Sequence, residues 1–80
     1  MTETEIGDGL YEIIRTVIGD PSLEISPTTT AKDVPGWDSL KQVMIMLGVE
    51  DRFNVRLSSR EIDSIKCVGD LLGVISRKIS

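Results

Sequence analysis

The chain has 80 residues, a formal net charge of −4, a single cysteine and no histidine. That length makes one domain, residues 1–80, with a small core. The acidic balance argues against a nucleic-acid binder, whose affinity comes mostly from neutralising phosphates, and the lack of histidine removes the commonest general base and metal ligand.

Other exclusions follow. Cys67 stands alone, so no internal disulfide is expected, which suits a reducing compartment. There is no charged-then-apolar leader and no apolar run long enough to span a bilayer. A cytoplasmic protein without a membrane span is expected. The charges are uneven. Acids dominate up to Asp38, and bases such as Lys41, Arg52, Arg56 and Arg60 dominate after it.

Thr2 and Glu5 have capping-box spacing. Ile6, Leu10, Ile13, Ile14 and Val17 then recur at helical spacing, which predicts a first helix over residues 3–18. Gly19-Asp20-Pro21 stops it. Residues 19–38 hold Pro21, Pro27, Thr28-Thr29-Thr30, Pro35 and Gly36, and read as a long loop. Leu23, Ile25 and Val34 are placed to pin that loop to the core.

A second helix is predicted from Ser39 to Phe53. Val43, Leu47 and Glu50 repeat at helical spacing, and Val49 and Phe53 close the apolar side. Asn54-Val55 breaks the pattern. Ser58 and Glu61 form another capping box and open a short third helix to about Ile65, with Ile62 and Ile65 facing inward. The last helix starts near Val68 and uses Leu71, Leu72, Ile75 and Ile79. Gly69 and Gly73 fall inside it and argue against a regular helix, at roughly 1 kcal/mol each relative to alanine. No segment alternates as a strand. The expected fold is all-α: a four-helix bundle of three longer helices and a short third one, with a long loop between the first two.

Catalysis by the chain alone is not expected. Ser39 has no histidine for a triad. Cys67 reads as a small buried core side chain. Gly7-Asp8-Gly9 falls within the first helix and lacks the strand that precedes a phosphate-binding loop. Ser39 itself has two readings. It can cap the second helix, with Gln42 completing a capping box. It can also offer a hydroxyl at the positive end of that helix, where a phosphate is favoured.

The run Gly36-Trp37-Asp38-Ser39-Leu40 is followed by Val43, Phe53, Leu57, Ile65, Val68-Gly69-Asp70 and Leu72. In this order, over about residues 3–79, the chain resembles the acyl carrier proteins and the related carrier domains of polyketide and peptide synthases. The resemblance implies that Ser39 is the attachment site of 4′-phosphopantetheine. A phosphopantetheinyl transferase would install it from coenzyme A with Asp38 as a recognition element. The chain would then be a non-catalytic carrier of acyl groups held as thioesters. Implied partners are that transferase, an acyl- or aminoacyl-loading ligase, and a ketosynthase or acyltransferase, met by a monomer. Leu40, Leu47 and Ile62 would frame the partner surface; core packing is the alternative for each. Trp37 would cover the loop or contact the arm.

The chain departs from carriers of the bacterial fatty acid type. Lys41 and Met44 stand where two acids of the second helix usually fall, and Arg52 stands at a third. A specialised polyketide, peptide or modified-sugar pathway is therefore expected. The alternatives are a housekeeping fatty acid carrier and a helical protein–protein interaction module in which Ser39 is only a cap.

Overall fold

The computed structural model describes residues 2–79. Four α-helices appear in the predicted order: α1 (Glu3–Ile18), α2 (Ser39–Phe53), α3 (Ser59–Ser64) and α4 (Val68–Ile79). One 3₁₀ turn, Ala31–Asp33, lies within the long first connection. No strand occurs among the described residues.

The ends follow local chemistry. Thr2 and Ser58 each accept the backbone N–H three residues on, and Glu5 and Glu61 return the bond, so both capping boxes form. Gly19 ends α1 with φ 85° and Asn54 ends α2 with φ 54°, a left-handed conformation that glycine and asparagine tolerate best.

Leu10, Ile14, Ile45, Val49, Leu71 and Ile75 are fully buried and join α1, α2 and α4 around one core. Burial of each such side chain contributes roughly 1.5–3 kcal/mol. α1 and α2 come close because glycines face the contact. A Cβ on Gly48 would lie 2.9 Å from Ile13 Cγ2, and one on Gly9 would lie 3.0 Å from Phe53 Cζ.

The long loop is held in place. Val34 is buried, and Leu23 and Ile25 pack half-buried on the core, as expected. The Arg15 Nε–H donates to the Leu23 carbonyl at 2.8 Å. The first N–H groups of α4, unpaired within their own helix, find acceptors in the loop. Val68 donates to the Thr29 carbonyl at 2.9 Å and Gly69 to the Pro27 carbonyl at 2.7 Å. α4 runs from Val68 to Ile79 as expected, and it passes through both glycines without a break. Gly69 serves an approach, since a Cβ there would lie 2.9 Å from the Pro27 carbonyl oxygen.

Two expectations are corrected. Val43 and Leu47 do not belong to the inward side of α2; Ile45, Met46, Val49 and Phe53 do. Apolar residues ring most of this helix, so periodicity alone does not select a face. Cys67 is half-buried rather than part of the closed core, because it lies in the turn before α4.

Candidate functional site

The segment Trp37-Asp38-Ser39 leads from the loop into α2. Asp38 is the cap: its backbone is extended, and its Oδ1 accepts the Lys41 N–H at 2.9 Å. The reading of Ser39 as the cap is therefore wrong. The Gln42 N–H that a capping Ser39 would accept bonds instead to the Asp38 carbonyl, and Ser39 becomes the first helical residue. Gln42 does not close a capping box either; its Oε1 accepts the Trp37 Nε1–H at 2.7 Å.

Ser39 is exposed, and no hydrogen bond engages its hydroxyl among the described residues. The N–H groups of Ser39 and Leu40 likewise have no protein acceptor, whereas Gln42 N–H already closes the first helical bond onto the Asp38 carbonyl at 2.9 Å. Among the described residues, the positive end of this 15-residue helix thus holds one free hydroxyl and two free amides. No group of three or more histidine, cysteine, aspartate or glutamate side chains is arranged to hold a metal among the described residues.

The outward side of α2 continues from Ser39 as an apolar stripe. Leu40 is 65% exposed, Val43 54%, Met44 41% and Leu47 58%. Core packing is thus excluded for Leu40 and Leu47. Val43 belongs to the same stripe and was missed, because its spacing fits the core equally well. Lys41 is half-buried on the flank, and Ile62 is half-buried against the core. Between Ser39 and Val49 there is no acid. Glu50 is occupied, its Oε2 accepting the Leu57 N–H at 2.8 Å. Arg52 pairs with Glu12 at 3.6 Å across an exposed gap, an arrangement that stabilises little.

Trp37 is half-buried and packs on the core cluster. A small recess beside it, about 40 Å³, is lined by Gln42, Met46, Ile65, Cys67 and Leu71 among others. No helix among the described residues is long and apolar enough to cross a membrane.

Comparison with known proteins points one way. The family described as "Phosphopantetheine attachment site" matches residues 8–75. The chain is 34% identical over 76 residues to the acyl carrier protein of Acidothermus cellulolyticus, covering 95% of this chain and 90% of that one. It is 33% identical to the meromycolate extension acyl carrier protein of Mycolicibacterium smegmatis, covering 95% of this chain and 77% of the relative. Among solved structures, it resembles holo acyl carrier protein from Geobacter metallireducens with a TM-score of 0.84 at 30% identity, over 90% of this chain and 83% of that chain.

Proposed function

The chain belongs to the phosphopantetheine-bearing acyl carrier proteins, and from that premise we propose that Ser39 is its attachment residue and the apolar face of α2 its docking surface. The single observation that carries the first part is the free Ser39 hydroxyl at the start of α2.

The residues present fit the group. A phosphodiester needs an exposed oxygen to grow from and donors that are not already used. Ser39 supplies the oxygen, and the Ser39 and Leu40 N–H groups are unspent. Asp38 keeps its carboxylate on the Lys41 N–H, which fixes the first turn and leaves the hydroxyl outward. In the transfer from coenzyme A, the Ser39 oxygen would form the new bond to the pantetheine-bearing phosphorus as the pyrophosphate P–O bond breaks and adenosine 3′,5′-bisphosphate leaves. The hydroxyl proton would pass to a base on the transferase, this chain having no histidine to take it. When bound, the group supplies a terminal thiol that holds acyl cargo as a thioester. This chain's own residues then tether that thiol and present it, which raises its effective concentration at each partner.

The chain is a carrier in a single domain that serves transferase, loading and chain-building enzymes without catalysing their reactions. Its relatives include generically named carriers and carriers of meromycolate extension. The acid-free apolar stripe on α2 favours a specialised pathway over housekeeping fatty acid synthesis. It suits partners that offer an apolar groove rather than a basic patch. Arg56 and Arg60, both exposed, add positive charge on the approach to α3 and at its start.

The test is direct. Incubation with coenzyme A, magnesium and a broad-range transferase should add one phosphopantetheine to the intact mass, and Ser39→Ala should abolish the gain. A mass gain that survives Ser39→Ala would reject the site. Preferred turnover by fatty acid ketosynthases over those of polyketide pathways or over adenylating ligases would reject the pathway.

A further inference from the structure

The outward stripe of α2 is made of four side chains that differ in chemistry. Leu40, Val43 and Leu47 are hydrocarbons and inert to mild oxidants. Met44 carries a thioether, which peroxides convert to a sulfoxide. The described residues include two methionines, two positions apart on this helix. Met44 is 41% exposed, whereas Met46 is 4% exposed and belongs to the core. Helical geometry makes the difference. Two residues rotate the side chain by about 200° around the axis, so one thioether meets solvent and the other meets the core.

Met44 also stands in the middle of the stripe. It follows Leu40 by four residues and precedes Leu47 by three, the two spacings that make helical side chains neighbours. Along the axis it lies about 7.5 Å from Ser39. An enzyme surface that reaches Ser39 and covers Leu40 and Leu47 must therefore cover Met44. No acid lies between Ser39 and Val49, so such a contact draws its strength from apolar area and depends on the stripe staying apolar.

Resting on the reading of this face as the docking surface, we propose that Met44 is a reversible oxidation site that sets how well the carrier docks. The oxidant is a hydroperoxide. The Met44 sulfur attacks its terminal oxygen, an S–O bond forms as the O–O bond breaks, and the sulfur loses two electrons. The proton of the attacked oxygen moves to the leaving oxygen, which departs as water or an alcohol. In the reverse step a thiol-dependent sulfoxide reductase removes the oxygen as water and oxidises two thiols to a disulfide. The sulfoxide puts a polar group where the stripe was apolar. Covered by an apolar partner, its oxygen has no donor, and that opposes docking. The bundle is spared, because Met44 is not among the side chains packed on the core.

The test uses apo protein and hydrogen peroxide, since the thiol of an attached arm would itself consume oxidant. Trypsin releases both methionines in one peptide, residues 42–52, and fragment ions place the added oxygen. Met44 should be oxidised about tenfold faster than Met46, or more. Transfer from coenzyme A by a broad-range transferase is then followed at varied carrier concentration. At low concentration the oxidised protein should react about 5-fold more slowly, or worse, with its far-UV circular dichroism unchanged. The two sulfoxide reductases, one for each epimer, should restore the rate. In Met44→Leu, which keeps Met1, Met46 and Cys67, treated and untreated rates should agree. The proposal is overturned if Met46 oxidises as fast as Met44, if oxidised wild type keeps its untreated rate, or if oxidation costs helical signal. It is equally overturned if the reductases restore nothing, or if peroxide slows Met44→Leu as it slows the wild type. Leu47→Gln separates this from the reading beneath it. Should Leu47→Gln slow the transferase while oxidation does not, only the Met44 proposal falls. Should neither slow it, the stripe is not the docking face and both fall. An absent mass gain in untreated protein is a different failure, which removes the carrier reading at Ser39 and the proposal with it.

Discussion

Two glycines four residues apart on α4 should respond to alanine with opposite sign. At Gly73 nothing lies within 4 Å of an added Cβ. Gly73→Ala therefore relieves only the conformational penalty of a helical glycine and should stabilise the protein by about 0.5–1 kcal/mol. At Gly69 an added Cβ would lie 2.9 Å from the Pro27 carbonyl oxygen, which is backbone and itself the acceptor of the Gly69 N–H at 2.7 Å. Overpacking costs roughly 1–3 kcal/mol. Loss of the hydrogen bond adds about 0.5–1.5 kcal/mol. Against this stands a propensity gain of under ~1 kcal/mol, reduced in the first helical turn. Gly69→Ala should thus destabilise by about 1–3 kcal/mol. In a domain of this size each kcal/mol moves the melting temperature by about 4–8 °C. Urea unfolding followed by far-UV circular dichroism, with the m-value checked for constancy, gives both differences. Equal shifts of the two variants, or a Gly69→Ala protein as stable as the wild type, would refute the claim that the loop is docked on the start of α4.

Asp38→Ala should cost about 1 kcal/mol through the lost cap, whereas Asp38→Asn should keep that stability in a thermal melt. If Asp38→Asn is nonetheless modified more slowly by the transferase, the charge serves recognition; equal rates would assign Asp38 to capping alone. Leu47→Gln, at an exposed position, should change stability by no more than about 0.5 kcal/mol. It should weaken turnover by a loading ligase about 5- to 30-fold if Leu47 is a docking anchor worth roughly 1–2 kcal/mol, as kinetics at varied carrier concentration would show. The Glu61 carboxyl is held below its ordinary value of 4.5 by the Ser58 N–H first and then by Lys78 at 2.9 Å. A lowered folded value means that stability is present above the unfolded value near 4.5 and is lost as pH falls through the folded one. Glu61→Gln should therefore be less stable than the wild type at neutral pH and converge with it in acid. A constant difference across that range in pH-dependent melts would contradict the assignment.

The order of helices was legible because each boundary carries its own chemistry. Thr2 with Glu5 and Ser58 with Glu61 announce their helices, and Gly19-Asp20-Pro21 ends the first. The inward face of α2 was not legible. Val43 and Leu47 have the same spacing and apolarity as Ile45 and Val49, and only the position of α1 decides between them. The role of Asp38 was half hidden as well. Adjacent Asp38 and Ser39 are both good caps, and the extended backbone at Asp38 settles which one serves. Gly69 shows the converse case. Its helix-breaking character is plain in sequence, but its reason, a loop carbonyl 42 residues earlier in the chain, appears only in three dimensions.

The central claim is that one hydroxyl, that of Ser39, bears the arm. Intact-mass and peptide-level mass spectrometry on the protein from the cells that make it tests this most directly. The account predicts one phosphopantetheine, with or without cargo, on the peptide containing Ser39. Protein that is wholly unmodified there, or an arm attached to Ser58, Ser59 or any other residue, would contradict it.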